Sequence, residues 1–134
     1  MKAVVLAGGK GTRLKPYTNV IPKALMPIGD MPILEVLIHQ ISRAGIHEVI
    51  LTVGHMAELL RAFFQDGSRY GTSIRYSFED KPLGTAGPLK KIKGLNKTFL
   101  VLNGDVLTDL DFSDLLRFHR EEQSLVTIAM YNRH

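Results

Sequence analysis

Short apolar runs and helical stripes alternate along this 134-residue chain, and that alternation restricts its fold more than any single motif does. Ala3-Val4-Val5-Leu6-Ala7, Val49 to Val53 and Thr98 to Leu102 are apolar runs of strand length, the pattern of strands buried on both faces of a sheet. Between them lie stripes at helical spacing. Leu34, Leu37, Ile38 and Ile41 share one face, with Asp30 as N-cap, Pro32 in the first turn and Gly45 as the stop. Met56, Leu59, Leu60 and Phe63 predict a second helix that closes near Gly67. Residues 85–93 predict a short helix burying Leu89 and Ile92, and Asp111 or Ser113 is placed to cap a helix carrying Leu115, Leu116 and His119. Ile74 to Phe78 alternates, which suits a half-exposed strand, and Leu125 to Tyr131 predicts one more. The methionines and Phe63, Phe64 and Phe118 read as core. Strands alternating with helices predict an α/β fold: a doubly wound, mostly parallel sheet with helices on both faces. Right-handed crossovers then place a ligand at the carboxyl ends of the strands.

Composition narrows the function classes. With 45% hydrophobic and 22% charged residues the chain can bury a core and is neither disordered nor membrane-spanning. It has no cysteine, which excludes disulfides and thiolate metal sites and makes a reducing cytoplasm the expected home. The Met1-Lys2 start before one apolar run is too short for a signal peptide. The formal charge is +4, but the cations gather around residues 10–23 and on a helix at residues 90–93. No basic stripe with interleaved aromatics points to nucleic acid, so a small polyanion is the expected partner. The five histidines show no pairing at metal-ligand spacing, and no nucleophilic triad is visible.

Leu6 to Leu14 read LAGGKGTRL directly after the first apolar run. Glycines there let main-chain N–H groups approach phosphate oxygens, while Lys10 and Arg13 offset their charge. The loop continues through Pro16 and Thr18 to Ile21-Pro22-Lys23, which holds a second lysine in a proline-stiffened turn. The P-loop pattern is not met, because Gly11 follows Gly9-Lys10 and the upstream glycine is missing. The dinucleotide pattern fails at Leu14, where its third glycine should stand, and Pro16 interrupts the helix that should open there.

The longer pattern is specific. GGKGTRL, then P-x-T, then PKALMPI closely resembles the signature of the sugar-phosphate nucleotidyltransferases, which make nucleotide sugars. The resemblance implies a Rossmann-like fold of the nucleotide-diphospho-sugar transferase type. It covers the whole chain, residues 1–134, as the nucleotide-binding front part of a longer family domain, so that the sugar pocket and a second metal aspartate are expected outside it. It implies nucleotide contacts from Leu6, Ala7, Gly8, Gly9, Gly11, Thr12, Arg13, Lys23, Glu79 and Gly84, with Arg13 and Lys23 on the phosphates. Asp105, in Asn103-Gly104-Asp105, matches the family's Mg²⁺-binding aspartate; Gly104 beside it is expected to leave room for a ligand. Mg²⁺ suits such a site, being held by one or two carboxylates plus substrate phosphates. Arg13, Lys23 and Asp105 are thus the catalytic candidates, whereas Asp109 and Asp111 read as turn and cap.

Glu79-Asp80-Lys81-Pro82-Leu83-Gly84-Thr85-Ala86-Gly87 matches the loop that holds the nucleobase in that family. Thymidylyl- and uridylyl-transferring members tend to carry glutamine where Glu79 stands. A carboxylate only accepts hydrogen bonds, and guanine offers its 2-amino group and the adjacent ring N–H as donors. PLGTAGPL also resembles the guanylyltransferase branch that uses mannose 1-phosphate. The implied reaction is an NTP, GTP favoured, plus a sugar 1-phosphate giving an NDP-sugar and pyrophosphate. Open alternatives are thymidylyl or uridylyl transfer to glucose 1-phosphate, cytidylyl transfer to a non-sugar phosphate, and a silent nucleotide-sugar-sensing paralogue. Retention of Arg13, Lys23 and Asp105 favours the enzyme. A sheet ending at an open edge would invite self-association into a homo-oligomer.

Overall fold

The computed structural model describes residues 1–132. Six strands and four α-helices follow one another as β1 (Lys2–Leu6), β2 (Pro27–Ile28), β3 (Met31–Pro32), α1 (Ile33–Arg43), β4 (Glu48–Val53), α2 (Ala57–Phe64), β5 (Ser73–Phe78), α3 (Gly87–Lys91), β6 (Phe99–Asn103) and α4 (Phe112–Glu121). The main sheet has the order β5-β4-β1-β6 and is parallel throughout, with Val4 in register with Ile50 on one side and Val101 on the other. β1 lies inside the sheet, so its run of three fully buried residues, Ala3-Val4-Val5, has neighbours on every side. Between them β2 and β3 form only a two-residue antiparallel hairpin.

Period two divides each strand between two faces. Ala3, Val5, Val49, Leu51, Val53, Ile74 and Leu100 face a core filled by Leu34, Leu37, Ile38 and Ile41 of α1, Leu60 and Phe64 of α2, and Phe112 and Leu116 of α4. The opposite face presents Val4, Leu6, Ile50 and Thr52, and there Leu6 and Thr52 share a cleft with Leu83 and Pro88 around α3. After β5 the chain crosses the sheet to reach β6 on the far side of β1. The winding direction therefore reverses between β1 and β6, as the alternating pattern predicts.

Several local expectations are corrected. Asp30 sits in the β2–β3 turn, and α1 starts after Pro32 without a side-chain cap, because the hairpin feeds the chain directly into the helix. The buried stripe of α2 is Ala57, Leu60 and Phe64; Met56 precedes the helix at φ 56°, and Leu59 is 45% exposed. In the short helix, Pro88 is the buried residue, while Leu89 and Ile92 are half-buried. Phe118, Met1 and Met130 lie on the surface. Leu125–Tyr131 forms no strand, since apolar alternation makes one only when a partner strand supplies the ladder, and Leu125 is 99% exposed. β6 is an edge of the sheet with Val101 exposed, not a strand buried on both faces. Asp111 does cap α4, accepting from the Ser113 amide at 2.7 Å.

Candidate functional site

The switch point between β1 and β6 opens into a cleft of about 470 Å³ at the carboxyl ends of the strands. A cavity of that size suits a small molecule. Leu6, Ala7, Gly8, Gly9, Gly11, Thr12 and Arg13 form one wall, and Lys23 enters from a short 3₁₀ turn at Lys23–Leu25. Glu79, Pro82, Leu83, Gly84 and Thr85 form the opposite wall, with Asn103, Gly104 and Asp105 between. All the site residues expected from the sequence thus lie around one cavity. Lys10 is exposed and lies outside the lining.

The glycine loop leaves β1 once Ala7 has donated to the Thr52 carbonyl at 2.9 Å. Beyond that point, none of the amides of residues 8–13 donates to a protein oxygen among the described residues. A consecutive run of unpaired N–H groups is a concentration of partial positive charge that suits an anion. Arg13 is exposed and makes no ion pair among the described residues, while Glu35, one of its conceivable partners, pairs with Arg69 at 3.8 Å.

Two features of the cleft were not legible in the sequence. Lys23 Nζ donates to the Asp105 carboxylate, joining a phosphate candidate to a metal candidate 82 residues away. The Glu79 carboxylate lies over Gly8, where an added Cβ would come within 2.8 Å of Oε1, so glycine is what admits the acid to the cleft. Gly104 lines the cleft, and a Cβ there would meet the Leu6 carbonyl and Ala7 Cβ at 3.2 Å, so the glycine also serves close packing of the chain after β6 on β1.

Thr52 and Thr18 also belong to this region. Thr52 lines the cleft, wholly buried, and its hydroxyl has no hydrogen-bond partner among the described residues. Thr18 is buried beneath the glycine loop. A buried polar side chain in an apolar setting is the signal that would have found Thr52, but only once the strand register was known. Among the described residues no group of three or more acidic or histidine side chains could hold a metal without help. A larger groove of about 1510 Å³ runs along β6, α4 and residues 125–131, and its lining is dominated by aliphatic side chains.

Comparison with known proteins settles the family. The family model described as "Nucleotidyl transferase" matches residues 2–134. The chain belongs to that family. It is 44% identical to a mannose-1-phosphate guanylyltransferase of Mycobacterium tuberculosis, and 43% identical to a UTP–glucose-1-phosphate uridylyltransferase of a Synechocystis strain. Each match covers 96% of this chain and 36% of the relative, so the chain spans little more than a third of their length. Among solved structures, a putative glucose-1-phosphate thymidylyltransferase from Bacillus anthracis superposes with a TM-score of 0.82 at 28% identity, over 92% of this chain and 51% of that one. HddC from Yersinia pseudotuberculosis, complexed with GMP-PN, superposes at 0.74 with 30% identity, over 88% of this chain and 53% of its own. This chain shares their fold, the Rossmann-like nucleotide-diphospho-sugar transferase type. No helix among the described residues is long and apolar enough to cross a membrane.

Proposed function

We infer that residues 1–134 are the nucleotide-binding part of a sugar-1-phosphate nucleotidyltransferase that condenses GTP with mannose 1-phosphate, releasing pyrophosphate. The observation that carries this reading is the run of amides at residues 8–13 with no protein acceptor among the described residues, in a cleft that Arg13 and Lys23 also line at the switch point of the sheet. Such a loop fits the triphosphate. The amides of Gly8, Gly9, Gly11 and Thr12 would cradle its oxygens, and Arg13 would offset charge on the departing pyrophosphate. Lys23 would hold oxygens near the attacked phosphorus. The sugar-phosphate oxygen attacks in line, so the protein positions groups and stabilises charge without a covalent intermediate.

The site also suits Mg²⁺. Asp105 offers one partly exposed carboxylate beside the phosphate-binding side chains, and a lone carboxylate completed by substrate oxygens is a common arrangement for this ion. Bound there, the ion would polarise phosphate oxygens and neutralise developing charge. Toward the base, Leu6, Ala7 and Gly84 would flank the ring, and the Glu79 carboxylate, ion-paired to no cation among the described residues, would accept from the guanine N–H groups. The guanylyltransferase relative and the GMP-PN held by HddC support the choice of guanine.

A second reading, uridylyl transfer to glucose 1-phosphate, is favoured by the 43% identical Synechocystis relative. A panel of nucleoside triphosphates against several sugar 1-phosphates, following pyrophosphate release by the full-length protein, separates the two. GTP with mannose 1-phosphate is expected to react fastest, and Glu79→Gln to move the preference toward UTP or dTTP. Clear preference of the wild type for UTP or dTTP would overturn the guanine assignment, and no pyrophosphate from any pair would overturn the enzyme.

A further inference from the structure

A loop of glycines has little stiffness of its own, so a fixed arrangement of its unpaired amides needs support from outside the loop. Thr18 is 2% exposed, and its hydroxyl donates to the Gly11 carbonyl at 2.8 Å. The same carbonyl accepts the Leu14 amide at 3.0 Å, so two donors fasten it. Thr18 also fills the space beneath Gly11, where φ is +61° and an added Cβ would come within 2.9 Å of the threonine methyl. Its own carbonyl lies 3.3 Å from His55 Nε2. A carbonyl oxygen only accepts, so His55 carries a proton on that nitrogen. His55 follows the end of β4, whose last residue, Val53, is wholly buried. A tether therefore runs from the sheet through His55 and Thr18 to Gly11.

The planar trans peptide gives this tether its consequence. The carbonyl of one residue and the N–H of the next point in opposite directions. Fastening the Gly11 carbonyl to Thr18 turns the Thr12 amide the other way, and Thr12 lines the cleft. Neither Thr18 nor His55 lines it, so neither touches a ligand there. We propose that Thr18 and His55 are positioning residues that preset the glycine loop for the triphosphate, acting through the Gly11 peptide. This rests on the nucleotide reading of the cleft given above.

The test is calorimetric titration of Mg²⁺·GTP into the full chain and five variants, well below their melting temperatures. Loss of one neutral hydrogen bond predicts binding about three- to tenfold weaker in Thr18→Val, which keeps the shape and loses the hydroxyl. Thr18→Ser keeps the hydroxyl and should stay within about twofold of wild type on the same scale. His55→Leu should weaken binding, and His55→Gln, whose amide nitrogen can replace Nε2, should restore it. Because both residues lie in one tether, Thr18→Val/His55→Leu should fall short of the product of the single effects. Wild-type affinity in Thr18→Val, or a loss in Thr18→Ser equal to that in Thr18→Val, overturns the proposal. Should Thr18→Val fail to fold, the His55 pair decides alone: equal affinity in His55→Leu and wild type overturns it. A wild type that binds no nucleoside triphosphate overturns the reading of the cleft itself, whereas wild-type binding with unaffected variants overturns only the tether.

Discussion

Replacing Asp105 with asparagine is expected to strengthen nucleotide binding in the absence of divalent cations and to weaken it in their presence. In the structure the Asp105 carboxylate is paired with Lys23, the two side chains being 34% and 39% exposed. A triphosphate that recruits Lys23 breaks this pair and leaves a carboxylate facing its own negative oxygens. A pair this open to solvent is worth about 0.5–1 kcal/mol, so releasing Lys23 beforehand should tighten metal-free binding by about two- to fivefold. Removing the like charge adds to that gain, most strongly at low salt. With Mg²⁺ the sign reverses, because asparagine gives the cation a neutral oxygen in place of a charged one. Titrating GTP into wild type and D105N, once in EDTA and once in Mg²⁺, at two ionic strengths, reads both halves of the prediction. Metal-free affinity in D105N equal to or below that of wild type would refute the reasoning, since Asp105 would then not compete for Lys23.

Three further outcomes follow from the geometry. Gly8→Ala places a methyl within 2.8 Å of Glu79 Oε1, the movable end of a side chain; the carboxylate should swing away, costing base discrimination in a GTP-against-UTP competition while the melting temperature barely changes. Leu37→Ala opens a cavity at a wholly buried position of α1 and should lower stability by about 2–5 kcal/mol in urea denaturation, a loss below about 1 kcal/mol contradicting the core described. Burial pushes the Tyr76 phenol up to about 12 from its ordinary 10.0, with Arg61 opposing. A group whose pKa rises on folding contributes fully below its unfolded value and loses that contribution as pH climbs through the folded one. Stability should therefore drop more steeply between pH 10 and 12 in wild type than in Tyr76→Phe, and parallel curves for the two proteins would contradict this.

The readable parts of the sequence were those where one physical signal acts alone. Leu34, Leu37, Ile38 and Ile41 have no competing pattern, and all four are fully buried. The run from Val49 to Val53 could only be an inner strand. Where signals compete, the sequence misleads. Met56 and Leu59 look like part of the α2 stripe, yet Met56 takes a left-handed conformation before the helix and shifts the buried face to Ala57, Leu60 and Phe64. Leu125 to Tyr131 has the periodicity of a strand, but periodicity supplies no ladder. At the cleft, residue types and spacing pointed to segments that the fold brings around one cavity, because strand ends converge whatever the details. The Lys23–Asp105 pair and the Thr18–Gly11 bond stayed hidden, since both depend on approaches that only the folded backbone fixes.

The cleft draws its two walls from unequal parts of the sheet. The glycine loop springs from β1, hemmed in by strands on both sides, whereas Glu79 follows β5 at the margin. On the nucleotide reading proposed above, the grip on the polyanion would inherit the rigidity of the molecule's centre, and the choice of nucleobase would fall to its periphery. Residue 79 would then choose which letter is read from a different strand than the one that holds the tail, meeting it only where its carboxylate lies over Gly8.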